Sequence, residues 1–266
     1  MFLSLRGMFV RINPFGERKG EHPLKRSMHI CVFVIGLVVL GASSAAAAAA
    51  PELPVSDLFT PPGHMTKLAR VAYEASKLPL PVRLPALDGS WTGAQWKANE
   101  WSPYEIARRH IRCPRACRPP YYGWAALGKG GTSPTAAPRG LILVMAGFSR
   151  TPSVAATVES LRNRGHGASY EQTSPVTIGG FAGTQFDGEV TGLRHVFIPF
   201  SPRTHKATGF PDAIETGTGD VFRFVVLDVR GKTVVIFIDS AALSADEFPA
   251  FLGEAQAVVS AIRFPV

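Results

Sequence analysis

The chain has 266 residues, a formal net charge of +8 and a hydrophobic share of 46%. That length suits one domain or two small ones, and the apolar share excludes a wholly disordered chain. Charged residues make up only 18% of the chain, less than the roughly one quarter found in ordinary globular proteins, so the positive sign does not indicate a nucleic-acid-binding tail.

Residues 1–50 have the pattern of a secretory signal peptide. Residues 28–50 carry no charge, the stretch from Ile30 to Leu40 is apolar, and small residues follow up to Ala50. A positive flank stays cytoplasmic, the apolar stretch enters the bilayer, and small residues fit the peptidase. We therefore predict an extracytoplasmic protein, secreted, periplasmic or at the cell surface, cleaved within Ala45–Ala50. The basic residues before this stretch are Arg6, Arg11, Arg18, Lys19, Lys25 and Arg26.

The alternative for this segment is a retained membrane anchor. Its strongly apolar part is shorter than the ~20 residues that span a bilayer, but the alanine tail lengthens it to about that size. In that case the protein would meet the membrane only through its N-terminal segment. Half of the net charge lies before Ala50, so basicity does not by itself predict acidic partners.

The rest of the chain predicts one domain that follows a linker. Residues 51–62 are rich in proline and predict the linker, and residues 63–266 predict a single α+β domain. Helical spacing of Met65, Leu68, Ala72 and Ala75 predicts a short helix over 63–77. Residues 86–138, which contain all four tryptophans, are predicted to be an irregular N-terminal part rich in Trp and Arg.

The signals become clearer after Arg139. The apolar run Leu141–Ala146 predicts a buried strand. Thr151 and Pro152 predict the N-cap and first position of a helix that ends at Gly165. The residues expected on the buried face of that helix are Val154, Val158 and Leu161.

Two glycine turns predict hairpins, one at Gly179–Gly180 and one at Arg230–Gly231. An apolar stripe from Phe248 to Ile262 predicts a closing helix, with Asp246 as N-cap because Pro249 then falls in its first turn. This order of elements predicts an α+β fold: a largely antiparallel sheet flanked by helices, with a C-terminal amphipathic helix packed on the sheet.

Two segments resemble catalytic or nucleotide-binding motifs but lack their decisive residues. Gly123–Gly130 matches G-x-x-x-x-G-K without the Ser or Thr that would hold magnesium, and it is interpreted as a flexible turn. The run from Leu141 through Ser149 resembles the start of an α/β-hydrolase, in which Ser149 would be the nucleophile. No G-x-S-x-G occurs in the chain, so a divergent hydrolase remains an alternative without a nucleophile elbow.

Cys113 and Cys117 remain after the leader is removed. An oxidising compartment favours a disulfide between them. Free or intermolecular thiols stay open, and so does a metal-handling site with His110, because thiolates and imidazole suit zinc or copper.

The strongest candidate binding surface is the aromatic and basic cluster in the irregular part. Aromatic faces and arginines stack on sugars or acidic polymers, and both types anchor protein interfaces. The alternative is that the tryptophans fill the core while the arginines form a solvated rim. A second candidate, Asp187 with Glu189, would place two carboxylates on one strand face, for a cation or as a general acid, or simply as a solvated face. The residues of the cluster chosen as binding candidates are Trp91, Trp96, Trp101, Tyr104, Arg108, Arg109 and Arg112.

The C-terminal half resembles a group of exported bacterial proteins of unknown function. The similar segments are Pro175–Asp187 with its glycines, the hairpin Phe222–Asp239, and the helix from Phe248 that ends in Ile262-Arg-Phe264. The layout also looks like the PsbP-like fold, an antiparallel sheet between helices. The resemblance implies a binding or assembly module and carries over no catalytic residue.

These observations together predict an exported, non-enzymatic module that binds an envelope component or another protein. No residue pattern indicates a cofactor, and export excludes nucleic acid as the partner.

Overall fold

The chain divides into two units after Ala47, and the second unit, Ala48–Val266, contains the fold. Ala48, the first residue of that second unit, lies within Ala45–Ala50, where cleavage is predicted. The structure is a computed structural model that describes residues 49–56, 64–96, 122–130, 138–147, 152–163, 167–197, 200 and 214–266.

Strands contain nearly half of the described residues, far more than the helices do. The two described helices are α1 (Val154–Asn163) and α2 (Phe248–Ser260). The strands are β1 (Thr66–Lys67), β2 (Tyr73–Ala75), β3 (Val82–Leu84), β4 (Trp91–Trp96), β5 (Tyr122–Lys129), β6 (Gly140–Gly147), β7 (Ala168–Tyr170), β8 (Ser174–Ile178), β9 (Phe181–Val190), β10 (Arg194–Phe197), β11 (Ile214–Gly217), β12 (Val221–Val229) and β13 (Lys232–Asp239).

Nine of these strands form one antiparallel sheet. Its order is β1-β4-β5-β6-β13-β12-β9-β7, and β8 also pairs with β9. The strands β2 with β3, and β10 with β11, make two further antiparallel pairs. The prediction of an α+β fold with a largely antiparallel sheet is thus confirmed.

Both faces of the sheet are buried. On one face Val225, Leu227 and Val229 of β12 lie in a core that includes α2, and this confirms that the C-terminal helix packs on the sheet. On the other face Phe222 and Phe224 lie in a second core with α1. Helices cover only part of the sheet, because much of the α2 face is covered by residues 53–56 and 64–87, which are extended chain and turns. The fold is therefore mostly sheet rather than a sheet flanked by helices.

The helix predicted over 63–77 is wrong. The described part of that range contains β1 and β2 instead. Tyr73 and Ala75 are buried on either side of a half-buried Glu74, the two-residue period of a strand. The helical spacing rested partly on alanines, which have little apolar surface to bury, so sheet packing of Tyr73 and Leu78 decides the structure.

The irregular part predicted over 86–138 is also wrong where the structure describes it. It contains β4 and β5, and the segment interpreted as a flexible turn is β5 itself, with Trp124 fully buried. Gly93 on β4 serves close packing, because a Cβ there would lie 2.7 Å from Leu68 Cδ1.

The first half of the predicted linker is part of the fold. Leu53 is 1% exposed, and the backbone forms bridges from Glu52 to Glu74 and from Val55 to Gln95. Buried Gln95 holds this segment, because its Nε2 donates to the Leu53 carbonyl at 2.6 Å while its Oε1 accepts from the Lys77 N–H at 3.0 Å. Residues 57–62 of the linker lie outside the described residues.

Both predicted hairpins are present. Gly179, Gly180, Arg230 and Gly231 all have positive φ, as their two-residue turns require. Helix α2 has Glu247 rather than Asp246 as its N-cap, with Pro249 in its first turn. Neither described helix is long and apolar enough to cross a membrane.

Candidate functional site

The two described members of the predicted binding cluster do not lie on a surface. Trp91 and Trp96 are 2% and 5% exposed. These two are therefore core residues, and the prediction that they form a binding surface is wrong. The Nζ of Lys129 lies 5.4 Å from the centroid of the Trp91 ring, which also contacts Phe251 of α2. The other cluster members, Trp101, Tyr104, Arg108, Arg109 and Arg112, lie outside the described residues.

The described residues contain no site for the two alternative functions, metal handling and hydrolysis. His110, Cys113, Cys117 and Ser149 lie outside them. The described ranges contain no group of three His, Cys, Asp or Glu side chains placed to hold a metal ion. The strand that resembled a hydrolase start is β6, which pairs antiparallel with both neighbours, unlike the parallel strands of an alternating α/β fold.

Asp187 is part of an ion pair that joins three elements. Arg223 Nε and Nη2 donate to its two carboxylate oxygens, each at 2.6 Å, and Nη1 donates to Gln256 Oε1 of α2 at 3.2 Å. These bonds to Asp187 raise the pKa of the Arg223 guanidinium against the opposing effect of burial. Glu189 is exposed on the same strand and takes no part in the ion pair between Asp187 and Arg223.

An open cleft of 610 Å³ lies between α1 on one side and β7, β9 and the residues just before β8 on the other; we call it the α1 cleft. Its volume is in the usual range for small-molecule sites, about 300–1,000 Å³. One wall comes from one side of the helix, where positions three or four apart lie together. The opposite wall comes from Tyr170 at the end of β7, Thr173 before β8 and Thr184 on β9. The helix residues of the cleft are Ala155, Val158, Glu159 and Arg162.

Arg162 is the fixed cation of the α1 cleft. Its guanidinium carbon lies 5.8 Å from the Tyr170 ring centroid and 5.7 Å from that of Phe186, and its Nη2 donates to the Glu171 carbonyl at 3.2 Å. Phe186 is 1% exposed and therefore forms the floor beneath the guanidinium. Among the described residues Arg162 makes no ion pair, so most of its donors are available to a ligand.

Tyr170 holds the two walls together. Its hydroxyl donates to the Leu161 carbonyl in the last turn of α1 at 3.1 Å, and its ring makes edge contacts with Phe186 and Phe222. Burial raises the pKa of Tyr170, and the Arg162 charge opposes that rise. The phenol therefore stays neutral at physiological pH and keeps its hydroxyl as a donor.

The sequence does not single out this cleft. Arg162 stands in an ordinary amphipathic helix, and its aromatic partners lie on β7 and β9, so only the folded sheet brings them together. The weak signal was Glu159 and Arg162, opposite charges three positions apart on one helix.

A second chemically unusual group lies at the far end of β13. Asp239 is 6% exposed, and its Oδ1 has no hydrogen-bond partner among the described residues. Burial, with a smaller contribution from the charge of Asp220, raises the pKa of Asp239 to about 7 against the opposing hydrogen bonds from the N–H groups of Ala241 and Ser240. Burial also raises the pKa of Asp220, whose Oδ2 accepts from the Gly217 N–H at 2.5 Å.

No family model and no curated protein matches the chain. Among solved structures, it is similar to PA94 from Pseudomonas aeruginosa, a protein of unknown function. The similarity covers 75% of this chain and 96% of that chain, at 11% sequence identity and a TM-score of 0.32. A similarity of that strength supports no inference about this chain.

Proposed function

We propose that the chain is an exported, non-enzymatic binding module of the cell envelope, and that the α1 cleft is where it binds. The observation that carries the proposal is Arg162, a half-buried cation held over two aromatic rings at the edge of an open cleft. Ordering a long side chain on binding costs free energy, and a guanidinium already fixed by its neighbours loses less. Such an arrangement suits recognition of an anionic group.

Export is supported by the N-terminal sequence and by where the chain divides. The folded unit starts at Ala48, inside the alanine tract that follows the apolar stretch. The resemblance of the C-terminal half to exported bacterial proteins, with a PsbP-like layout, supports a binding or assembly role on the same side of the membrane.

Export is tested by expressing the full chain with a C-terminal tag in a bacterium and fractionating the cells. We expect the tagged protein outside the cytoplasm, with an N-terminus within residues 46–51 by mass spectrometry. The peptide with Cys113 and Cys117 should react with an alkylating reagent only after reduction. A cytoplasmic protein with an intact N-terminus would overturn this half of the proposal.

Binding is tested by thermal unfolding of the protein purified from those cells. A panel of small sugars, organic anions, amines, amino acids and short peptides is compared on wild type and on Arg162→Met. A compound present at ten times its Kd stabilises the folded state by about 1.4 kcal/mol, which raises Tm by about 3–6 °C in a domain of this size.

We expect at least one compound to raise the Tm of wild type and not that of Arg162→Met. Arg70→Met, which changes an exposed arginine outside the cleft, should respond as wild type does. Equal responses in all three proteins would mean that the α1 cleft is not the binding site.

A further inference from the structure

We propose that the α1 cleft is built for a small zwitterion, a free α-amino acid or a dipeptide. The ligand's carboxylate would bind Arg162, and its ammonium group would bind Glu159. This inference rests on the proposed function and names the ligand class for the same cleft.

Arg162 suits the carboxylate group of the ligand. Arg162 is anchored by the Tyr170 and Phe186 rings on its face and by the Glu171 carbonyl at one nitrogen. A guanidinium has five N–H donors in a planar fork. An edge of that fork that the Glu171 carbonyl does not use matches a carboxylate, which accepts two parallel hydrogen bonds.

Glu159 suits the ammonium group of the ligand. Glu159 lies three positions before Arg162 and lines the same cleft. Opposite charges at that spacing commonly pair on a helix surface, yet Glu159 and Arg162 form no ion pair, because the guanidinium turns onto the aromatic rings of the opposite wall. The cleft therefore holds one positive and one negative group apart, an arrangement that complements a ligand carrying both charges.

The remaining lining of the cleft combines apolar and polar side chains. Ala155 and Val158 give a small apolar surface, and Thr173 and Thr184 add hydroxyl groups on the other wall. This mixture suits a short aliphatic side chain and a peptide or amino group more than a long hydrocarbon chain.

The test is isothermal titration calorimetry on the protein purified after expression of the full chain. Four probes are used: L-alanine, L-alanyl-L-alanine, acetate and ethylamine. We expect one of the two zwitterions to bind at least about tenfold tighter than acetate or ethylamine, since a second charged contact contributes about that factor. The first two probes also distinguish the two sources of the same chemistry, a free amino acid and a peptide.

Four variants assign the contacts. Arg162→Met and Glu159→Gln should each weaken binding of the zwitterion by about tenfold or more. Arg162→Lys keeps the charge without the planar guanidinium fork, so its affinity for the zwitterion should lie between those of Arg162→Met and wild type. Glu189→Gln removes an exposed carboxylate that does not line the cleft and should bind as wild type does.

Circular dichroism confirms that each variant is folded before titration. If acetate binds as tightly as L-alanine and Glu159→Gln has no effect, the ligand is a simple anion: the zwitterion inference is then wrong while the proposed binding function stands. Absence of binding by all four probes also overturns the inference, and the thermal-unfolding panel then decides the proposed function separately.

Discussion

Gln95 shows how one polar side chain in the core determines where the fold begins. It is fully buried on β4, and its amide satisfies the Leu53 carbonyl and the Lys77 N–H, two backbone groups far apart in sequence. A buried backbone group without a partner costs about 1–3 kcal/mol. The Gln95 amide therefore adds to the backbone bridges that attach the N-terminal segment to the sheet, and no apolar residue can replace it.

Gln95→Leu should lower the free energy of unfolding by about 2–4 kcal/mol, because it leaves both backbone groups without their partner. Urea unfolding measures the change, and limited proteolysis should show earlier cleavage near residues 49–56. Thr92→Val on the same strand removes one partly buried hydrogen bond, to the Gly128 carbonyl, and should cost about 1 kcal/mol. Similar costs for the two variants would contradict the role given to Gln95.

Asp239 links stability to pH. Its pKa is raised to about 7 in the folded state, so the folded protein binds a proton that the unfolded chain releases near pH 4. The resulting stabilisation is complete below about pH 4 and is lost as the pH rises through 7. Asp220 is the charged group whose proximity adds to this effect.

Asp239→Asn should remove this dependence, because the amide is neutral at every pH. The difference in unfolding free energy between wild type and variant should change by a few kcal/mol between pH 4 and pH 8, with the variant gaining relative to wild type at the higher pH. Urea titrations at several pH values measure it. Taking the difference cancels the opposite contributions of Glu52, Asp88 and Glu247, whose pKa values are lowered. If the unfolding free energies of wild type and variant changed equally with pH, the raised pKa assigned to Asp239 would be wrong.

At the scale of elements, the contact of α2 with the sheet depends on a missing side chain. The Phe251 ring lies on Gly140 at the start of β6, where an added Cβ would be 2.7 Å from Phe251 Cε2. The helix therefore approaches the strand more closely than any other residue at 140 would permit.

Gly140→Ala should lower the free energy of unfolding by about 1–3 kcal/mol, because the ring and with it the helix must move. Gly253→Ala is the matched control, since the space around Gly253 in α2 is open, and it should stabilise the protein by about 0.5–1 kcal/mol through helix propensity. Chemical unfolding measures both. Adding Phe251→Leu should recover part of the Gly140→Ala cost, and full additivity would speak against this contact.

The edge strand β8 is protected by its proline. In a two-residue hairpin closed by Ile178 and Phe181, alternate residues direct their backbone groups toward the partner strand and away from it. Pro175 occupies an outward position, so the free edge lacks an N–H there. Among the described residues β8 pairs with β9 and with no other strand.

Pro175→Thr should restore that N–H and increase self-association through the edge. Sedimentation velocity at several protein concentrations measures it. Ser174→Thr, one position earlier, places a similar side chain where the backbone faces β9 and should leave the protein's sedimentation unchanged. Identical sedimentation of both variants would show that this edge is not what the proline protects.

The hairpins could be predicted from sequence because their signal is local. Gly179–Gly180 and Arg230–Gly231 indicate the turns, and the residues on either side of them indicate the strands. β4 and β5 could not, because both faces of these strands are buried, which removes the alternation of polar and apolar residues. Gly128 and Gly130 then suggested a turn when only Gly130 adopts a positive φ.

The candidate site was less predictable than the fold, for a similar reason. Trp91 and Trp96 were prominent because tryptophan is common both in cores and in interfaces, and composition does not separate the two. Arg162 gains its character only when β7 and β9 bring Tyr170 and Phe186 against α1. A site made by tertiary contacts among common residues leaves little trace in one sequence.

For the whole molecule, the order of strands sets the order in which the chain can fold. The middle of the sheet joins β6 to β13, so Val144 finds its partner Ile236 only after nearly all of the chain is present. Pairings so distant in sequence form slowly, since the intervening loop must close first. We therefore expect the sheet to remain open until β13 has been synthesised, which is the unfolded state that the proposed export would need.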